Sequence, residues 1–177
     1  IGCSNFEAWR VCKALWISDR RNLSPLICVQ DHYNLLDRRI ERELVPLCLS
    51  EGVGIMTYSG VAVGLLTGRF RHGEPPPPGT PWARNPSRFK EMLTPDGDRV
   101  VEALIQIGAE RGKTPAQVAI AWLISRPGIS AAMIGPDAPE HVDENIGGVG
   151  WELGDGELQR LDEVSAYAVN TAQIIGT

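Results

Sequence analysis

The sequence lacks a basic excess. Seventeen lysines and arginines face 22 aspartates and glutamates, a formal charge of −5, so nothing marks an electrostatic footprint for nucleic acid or an anionic membrane. It also lacks a long apolar run of the roughly 18 residues or more that span a bilayer, and no charged segment ahead of an apolar one marks a signal peptide. Cysteine is sparse: Cys3, Cys12, Cys28 and Cys48 form no CxxC pair, and His32, His72 and His141 lie far apart. Zinc and disulfide frameworks therefore lack their usual spacing. The cysteines are expected as small buried hydrophobes in a reducing cytoplasm.

What is present is the composition of a soluble domain. At 177 residues, 43% of them hydrophobic, the chain is long enough to bury a core as one unit. Periodicity then divides it. Residues 6–21 carry apolar side chains at helical spacing, with Asn5 placed as an N-cap. Leu26 to Val29 is a short continuous apolar run, as expected of a strand buried on both faces. An amphipathic stretch follows and ends at Gly52, with Pro46 bending or capping it, and residues 53–60, VGIMTYSG, make another strand.

Residues 59–97 break the rhythm. Four consecutive prolines, Pro75 to Pro78, predict a long exposed loop with polyproline character. Helical spacing returns before Gly112 and again after Thr114-Pro115, an N-cap followed by proline at N1. A fourth strand, ISAAMIG, two further helices and a loose tail over 167–177 complete the order. Buried strands alternating with amphipathic helices predict an α/β fold with a parallel sheet. Polar and small residues gather where strands end, at Ser4-Asn5, Gln30-Asp31, Tyr58-Ser59 and Gly135-Pro136. In parallel α/β folds that is the ligand-binding face. Four strands do not close a barrel.

Five ordered segments, IGCSNF, VQDHYNLLDRRIERELVPLC, VGIMTYSGVAVGLLTGRF, RGKTPAQVAIAWLISRPGISAAMIG and APEHVDEN, together resemble the C-terminal half of an aldo-keto reductase. The resemblance runs from residue 1 to about 166 and is nearest to the bacterial general reductases and the potassium-channel beta-subunit branch. It implies half of a (β/α)8 TIM barrel, about four parallel strands with surrounding helices, that binds NADP(H) or NAD(H) without a Rossmann glycine loop.

By that resemblance Ser4, Asn5 and Gln30 hydrogen-bond the nicotinamide carboxamide, whose donor and acceptor an amide side chain matches. The alternative for Ser4-Asn5 is simple helix capping. Tyr58 resembles the aromatic that stacks on the nicotinamide ring; otherwise it is core. The loop Ser59, Gly60, Val61, Gly64, Leu65 to Arg69 resembles the one that folds over the pyrophosphate, with Gly60-Val61 standing where the family usually has Pro-Leu. Glycine loosens that loop, and a plain surface loop is the alternative. Gly135, Asp137, His141, Glu144 and Asn145 fall on the adenosine segment, with Glu144 and Asn145 matching the adenine contacts.

The Asp, Tyr, Lys and His on which the family's catalysis depends belong to the barrel's first half and are expected upstream of Ile1. His32 and Tyr33 are instead expected to line the cofactor or substrate mouth. The expectation is thus a fragment of a reductase of small carbonyl substrates that requires the N-terminal half of its barrel and is inactive alone. The alternatives are a half-barrel that dimerises and a non-catalytic cofactor-binding subunit of the channel-associated type. The segment 70–97, with Trp82 and Phe89, is either part of a substrate wall or lid, or solvent loop.

A carboxylate at Asp137 and no cation at Gly135-Pro136 disfavour a 2′-phosphate by about 1–4 kcal/mol, depending on dielectric. The parent enzyme is accordingly expected to discriminate poorly for NADPH or to prefer NADH. A titration in which NADPH binds a hundredfold tighter overturns this.

Overall fold

A computed structural model describes residues 1–136 and 138–170. Four strands, β1 (Gly2–Ser4), β2 (Cys28–His32), β3 (Gly54–Tyr58) and β4 (Ile129–Ala132), form one sheet in the order β1-β2-β3-β4, and each neighbouring pair is parallel. The connections are α1 (Ala8–Arg21), a short 3-10 turn (Arg39–Glu41) with α2 (Leu44–Glu51), and, between β3 and β4, α3 (Pro86–Met92), α4 (Pro95–Arg111) and α5 (Pro115–Ile124). After β4 come α6 (Pro139–Ile146), α7 (Asp155–Val164) and a 3-10 turn at Ala166–Val169. No helix among the described residues is long and apolar enough to cross a membrane.

The register explains the burial. Cys3, Val29, Ile55 and Ile129 align across the sheet on the face that the helices cover, and Val29 and Ile55 are buried. Ser4, Gln30, Met56 and Ala131 align on the other face, where none is buried. The strands are therefore covered on one face, not both, and alternation replaces the continuous burial that their apolar runs predict. On this second face Gly2 has no room for a side chain, since a Cβ would stand 2.7 Å from the Cys28 carbonyl oxygen, whereas at Gly54 a Cβ would stand 2.7 Å from Ser130 Oγ and would have to push that exposed hydroxyl aside.

The proline-rich segment is folded. Thr80-Pro81, Asn85-Pro86 and Thr94-Pro95 each place a side-chain cap immediately before a proline at the first helical position. These prolines start helical turns rather than break them, because N1 needs no amide donor. Trp82, Phe89 and Leu93 are buried with Leu65, Leu66 and Phe70, so the expected exposed loop contributes to the core. Thr114 caps α5 ahead of Pro115, as its sequence predicts, and Gln117 adds the reciprocal bond of a capping box. Of the tail expected over 167–177, Tyr167 packs against the core and Ala168 is buried, and residues 171–177 lie outside the described residues. Of the cysteines only Cys48 is buried, while Cys12 is exposed.

One cation ties the β2 exit to the far end of the chain. Arg38, buried, donates from Nε and Nη2 to both carboxylate oxygens of Glu41 at 2.8 and 2.9 Å. Its Nη1 reaches Ser165 Oγ at 2.8 Å and Asp162 Oδ1 at 3.0 Å. The guanidinium lies 5.2 Å from the centroid of the buried Trp122 ring, whose Nε1 donates to the same Asp162 at 3.1 Å. Removing the cation strands Glu41 in a half-buried position, so Arg38→Ala is expected to cost about 3–5 kcal/mol in urea unfolding. Arg38→Lys, which keeps the charge without the fork, is expected to recover only part of it; a loss below about 1 kcal/mol for the alanine variant overturns this role.

Candidate active site

The strand ends bring four of the expected residues together. Ser4 and Gln30 are register partners on the same face. Asn5 follows with φ 57° and donates its backbone N–H to the Gln30 carbonyl at 3.0 Å. Its side chain is held at both ends: Nδ2 donates to Ser4 Oγ at 3.1 Å, and Oδ1 accepts from the Tyr58 hydroxyl at 2.9 Å. Asn5 is not the cap of α1; that position is Glu7, which makes no side-chain cap bond. Asparagine tolerates the left-handed region better than most residues, so its amide is directed to the strand ends instead of the helix. Gln30 makes no side-chain hydrogen bond among the described residues, leaving a donor and an acceptor beside Ser4 and Asn5.

A cavity of about 360 Å³ opens at this rim, lined by Asn5, Asp31, His32, Arg39 and Tyr58 together with the start of α1 and the turn before α2. His32 is buried, its Nδ1 is 3.0 Å from Asp37 Oδ2, and its ring meets Tyr58 edge-on at 5.3 Å. Asp37 in turn accepts from Arg39 Nε and Nη2, both at 2.6 Å. Burial opposes ionisation of Asp37, but the hydrogen bonds from His32 and Arg39 outweigh it and hold the carboxyl below its ordinary range. Burial pushes Asp31 and Tyr58 up. His32 lines this cavity; Tyr33, expected beside it, does not. Tyr33 is buried against Trp122 at 5.4 Å, its hydroxyl donates to Glu41, and burial with that bond pushes its phenol well above the usual range.

The loop after β3 departs from regular structure. Ser59, Ala62 and Val63 have φ of 57°, 51° and 53°, and Gly64 has 85°. Gly60 is pressed against Leu123, whose Cδ2 would be 2.7 Å from an added Cβ, so glycine is required here for space. The Leu65 side chain is core, at 0% exposure, which leaves only its backbone to face a ligand. The N–H groups of Gly60, Val61 and Val63 have no partner among the described residues, and Arg69 is exposed beyond them. Asn34, inside the segment quoted for its resemblance, donates from Nδ2 to the Ser59 carbonyl at 2.9 Å.

At the β4 end Gly135 is exposed, and His141, Glu144 and Asn145 lie on α6. The Glu144 carbonyl accepts from Gln117 Nε2 at 2.9 Å, and Asn145 is buried. Asp137 lies outside the described residues. The sheet order runs the nicotinamide candidates at β1–β3 into the adenosine candidates at β4 and α6. Sequence reasoning missed the Asp37–Arg39 pair and the role of Asn34. The turn signal was there: Asn34 Oδ1 accepts the Leu36 N–H at 2.8 Å, an Asx turn that asparagine favours.

The family model for the Aldo/keto reductase family matches residues 1–166. The chain belongs to this family. It is 30% identical over 166 residues to Protein tas of Escherichia coli, covering 93% of this chain and 47% of that protein. It is 33% identical over 147 residues to a probable voltage-gated potassium channel subunit beta of Arabidopsis thaliana, covering 82% and 45%. The chain thus spans about half the length of the curated relatives it matches. A glycerol dehydrogenase structure from Gluconobacter oxydans superposes with a TM-score of 0.74 at 23% identity, over 97% of this chain and 50% of that one, which places the sheet within a TIM-barrel fold.

Asp37 also sets an acid response. A carboxyl held below its unfolded value of 3.8 contributes stability above that value and loses it as pH falls through the lower, folded one. Asp37→Asn is therefore expected to flatten the fall in melting temperature below about pH 4; an unchanged acid limb overturns the assignment.

Proposed function

We propose that this chain forms the nicotinamide-nucleotide side of an aldo-keto reductase whose intact form transfers a hydride between NAD(P)(H) and a carbonyl or alcohol substrate. The observation that carries the reading is the rim cluster of Ser4, Asn5, Gln30 and Tyr58 beside a loop with three N–H groups that have no partner among the described residues. The fit is chemical. Two amide side chains and a hydroxyl answer a carboxamide, the Tyr58 ring offers a stacking face, and free backbone donors with Arg69 answer a pyrophosphate. The bound nucleotide supplies the hydride. The chain's own part is to bind and orient it, with Glu144 and Asn145 at the adenine end and no cation among Gly135, Asp137 and His141 to enforce a 2′-phosphate.

No described tyrosine is set up as a proton donor with a lysine beside it. Tyr33 is committed to Glu41 and Tyr58 to Asn5, Tyr167 is held by burial up to about 12, and Lys113 donates to the Gly147 carbonyl. The chain by itself is therefore proposed to be inactive, with the first half of the barrel as its necessary partner. The likeness to a protein named as a potassium channel subunit supports a second reading, in which the cofactor-bound barrel serves as a sensor or scaffold.

The test is fluorescence titration of the chain with NADPH and with NADH, alongside Asn5→Ala and Tyr58→Ala. Each substitution is expected to weaken binding about tenfold, the worth of one or two net hydrogen bonds or of a stacking face. Unchanged affinity in both variants overturns the site. Turnover of an aldehyde by the chain alone overturns the proposed inactivity.

A further inference from the structure

The loop after β3 is strained, and the packing that buries Ala62, Leu65 and Leu66 does not reach the Val63 side chain. Ala62, Val63 and Gly64 are three successive residues in the left-handed region. For a β-branched residue such as Val63 this is an outlier that persists only where the surroundings impose it. The Val63 side chain is 54% exposed, so its own burial supplies no such restraint. Its carbonyl does: it accepts from Trp82 Nε1 at 2.9 Å. On the same peptide unit, the Gly64 N–H donates to the Val61 carbonyl at 3.0 Å. That unit is pinned from both sides, next to the unpartnered N–H of Val63.

The indole is itself immobilised. Trp82 is 5% exposed and meets Phe89 at 6.1 Å, which meets Phe70 at 5.9 Å. Phe70 directly follows the loop, while Trp82 and Phe89 come from the helical turns that Thr80 and Asn85 cap in the proline-rich segment. At its other end the loop is held by Asn34 at the Ser59 carbonyl.

We propose that Trp82 is a positioning residue for the phosphate-binding loop: its indole N–H holds the Val63 peptide in the strained conformation that turns the Gly60, Val61 and Val63 amides toward a pyrophosphate. The proposal rests on the nucleotide-binding reading above for the ligand, but not for the restraint. Trp82 touches no reacting group; it acts through Val63. The segment 70–97 is then a strap for the cofactor loop, neither solvent loop nor, at Trp82, substrate wall.

Trp82→Phe keeps a ring in the aromatic cluster and deletes the donor. Val63→Gly removes the conformational penalty and leaves the donor. Amide hydrogen exchange at Gly64 and Leu66, whose N–H groups bond Val61, reads the loop, with Leu104 and Ile107 in α4 as core references. Inorganic pyrophosphate, followed by the shifts of the Gly60, Val61 and Val63 amides, probes the ligand side. In Trp82→Phe the loop amides are expected to exchange about fivefold faster and pyrophosphate to bind about fivefold more weakly, the worth of one net hydrogen bond. In the Val63→Gly background both effects are expected to shrink, because glycine needs no restraint at that φ.

Unchanged loop exchange in Trp82→Phe overturns the proposal. So does an equal rise at Leu104 and Ile107, which makes the indole a core residue and nothing more. A loop-specific rise with no pyrophosphate binding to either protein supports the restraint and sinks the nucleotide-binding reading instead.

Discussion

The segment that leaves β2 depends on a single buried guanidinium. Residues 34–41 carry Asn34, Asp37 and Arg39 on a tight turn, closed by paired backbone bonds between Asn34 and Asp37, and on the short 3-10 turn that follows. Arg38 fixes it: the backbone N–H of Arg38 donates to the Ala168 carbonyl at 3.0 Å, and its side chain joins Glu41, Asp162 and Ser165 against the Trp122 ring. Once that segment is anchored, Asp37 can hold His32, His32 can back Tyr58, and Asn34 can hold the Ser59 carbonyl. The chemistry of the rim is thus referred to the packing of α5 and α7, on the far side of the sheet. A buried ion pair is weak evidence for stability in itself; here its geometric consequence matters more.

Much of this architecture is legible in the residues. Apolar runs and amphipathic spacing point to four parallel strands in order, though not to a sheet covered on one face only, and Thr114-Pro115 marks the start of α5. Ser4, Asn5, Gln30 and Tyr58, which stand at strand ends and are singled out by the family resemblance, do converge. What was not legible has a common cause. Asn5 looks like a helix cap because capping residues and left-handed residues are the same short polar types. Prolines in the 70–97 segment look like breakers because the same ring that ends a helix also starts one. Trp82 and Phe89 look exposed because nothing local predicts the aromatic cluster that buries them. Each ambiguity is local, and each was resolved by a partner far away in sequence.

The open face of the sheet shows how economically the strands are built. Gly2 and Gly54 leave room for Cys28 and Ser130 to lie across their neighbours, so the deepest layer is made of small groups. One layer up, Ser4, Gln30 and Met56 are larger and polar or polarisable. The sheet therefore grades from compact at the strand starts to chemically equipped at the strand ends. The gradient follows from the two-residue period of the strands, which returns every second side chain to the same face.

The four prolines from Pro75 to Pro78 have a thermodynamic meaning of their own. A flexible excursion of this length would surrender much conformational entropy when Trp82 and Phe89 dock. Consecutive prolines fix φ in the unfolded chain as well as in the folded one, so less freedom remains to be lost. The polyproline stretch also behaves as a semi-rigid spacer rather than a slack tether. The indole is thus delivered to its site from an ensemble that is already narrow, where the Phe89 ring and the Val63 carbonyl register it.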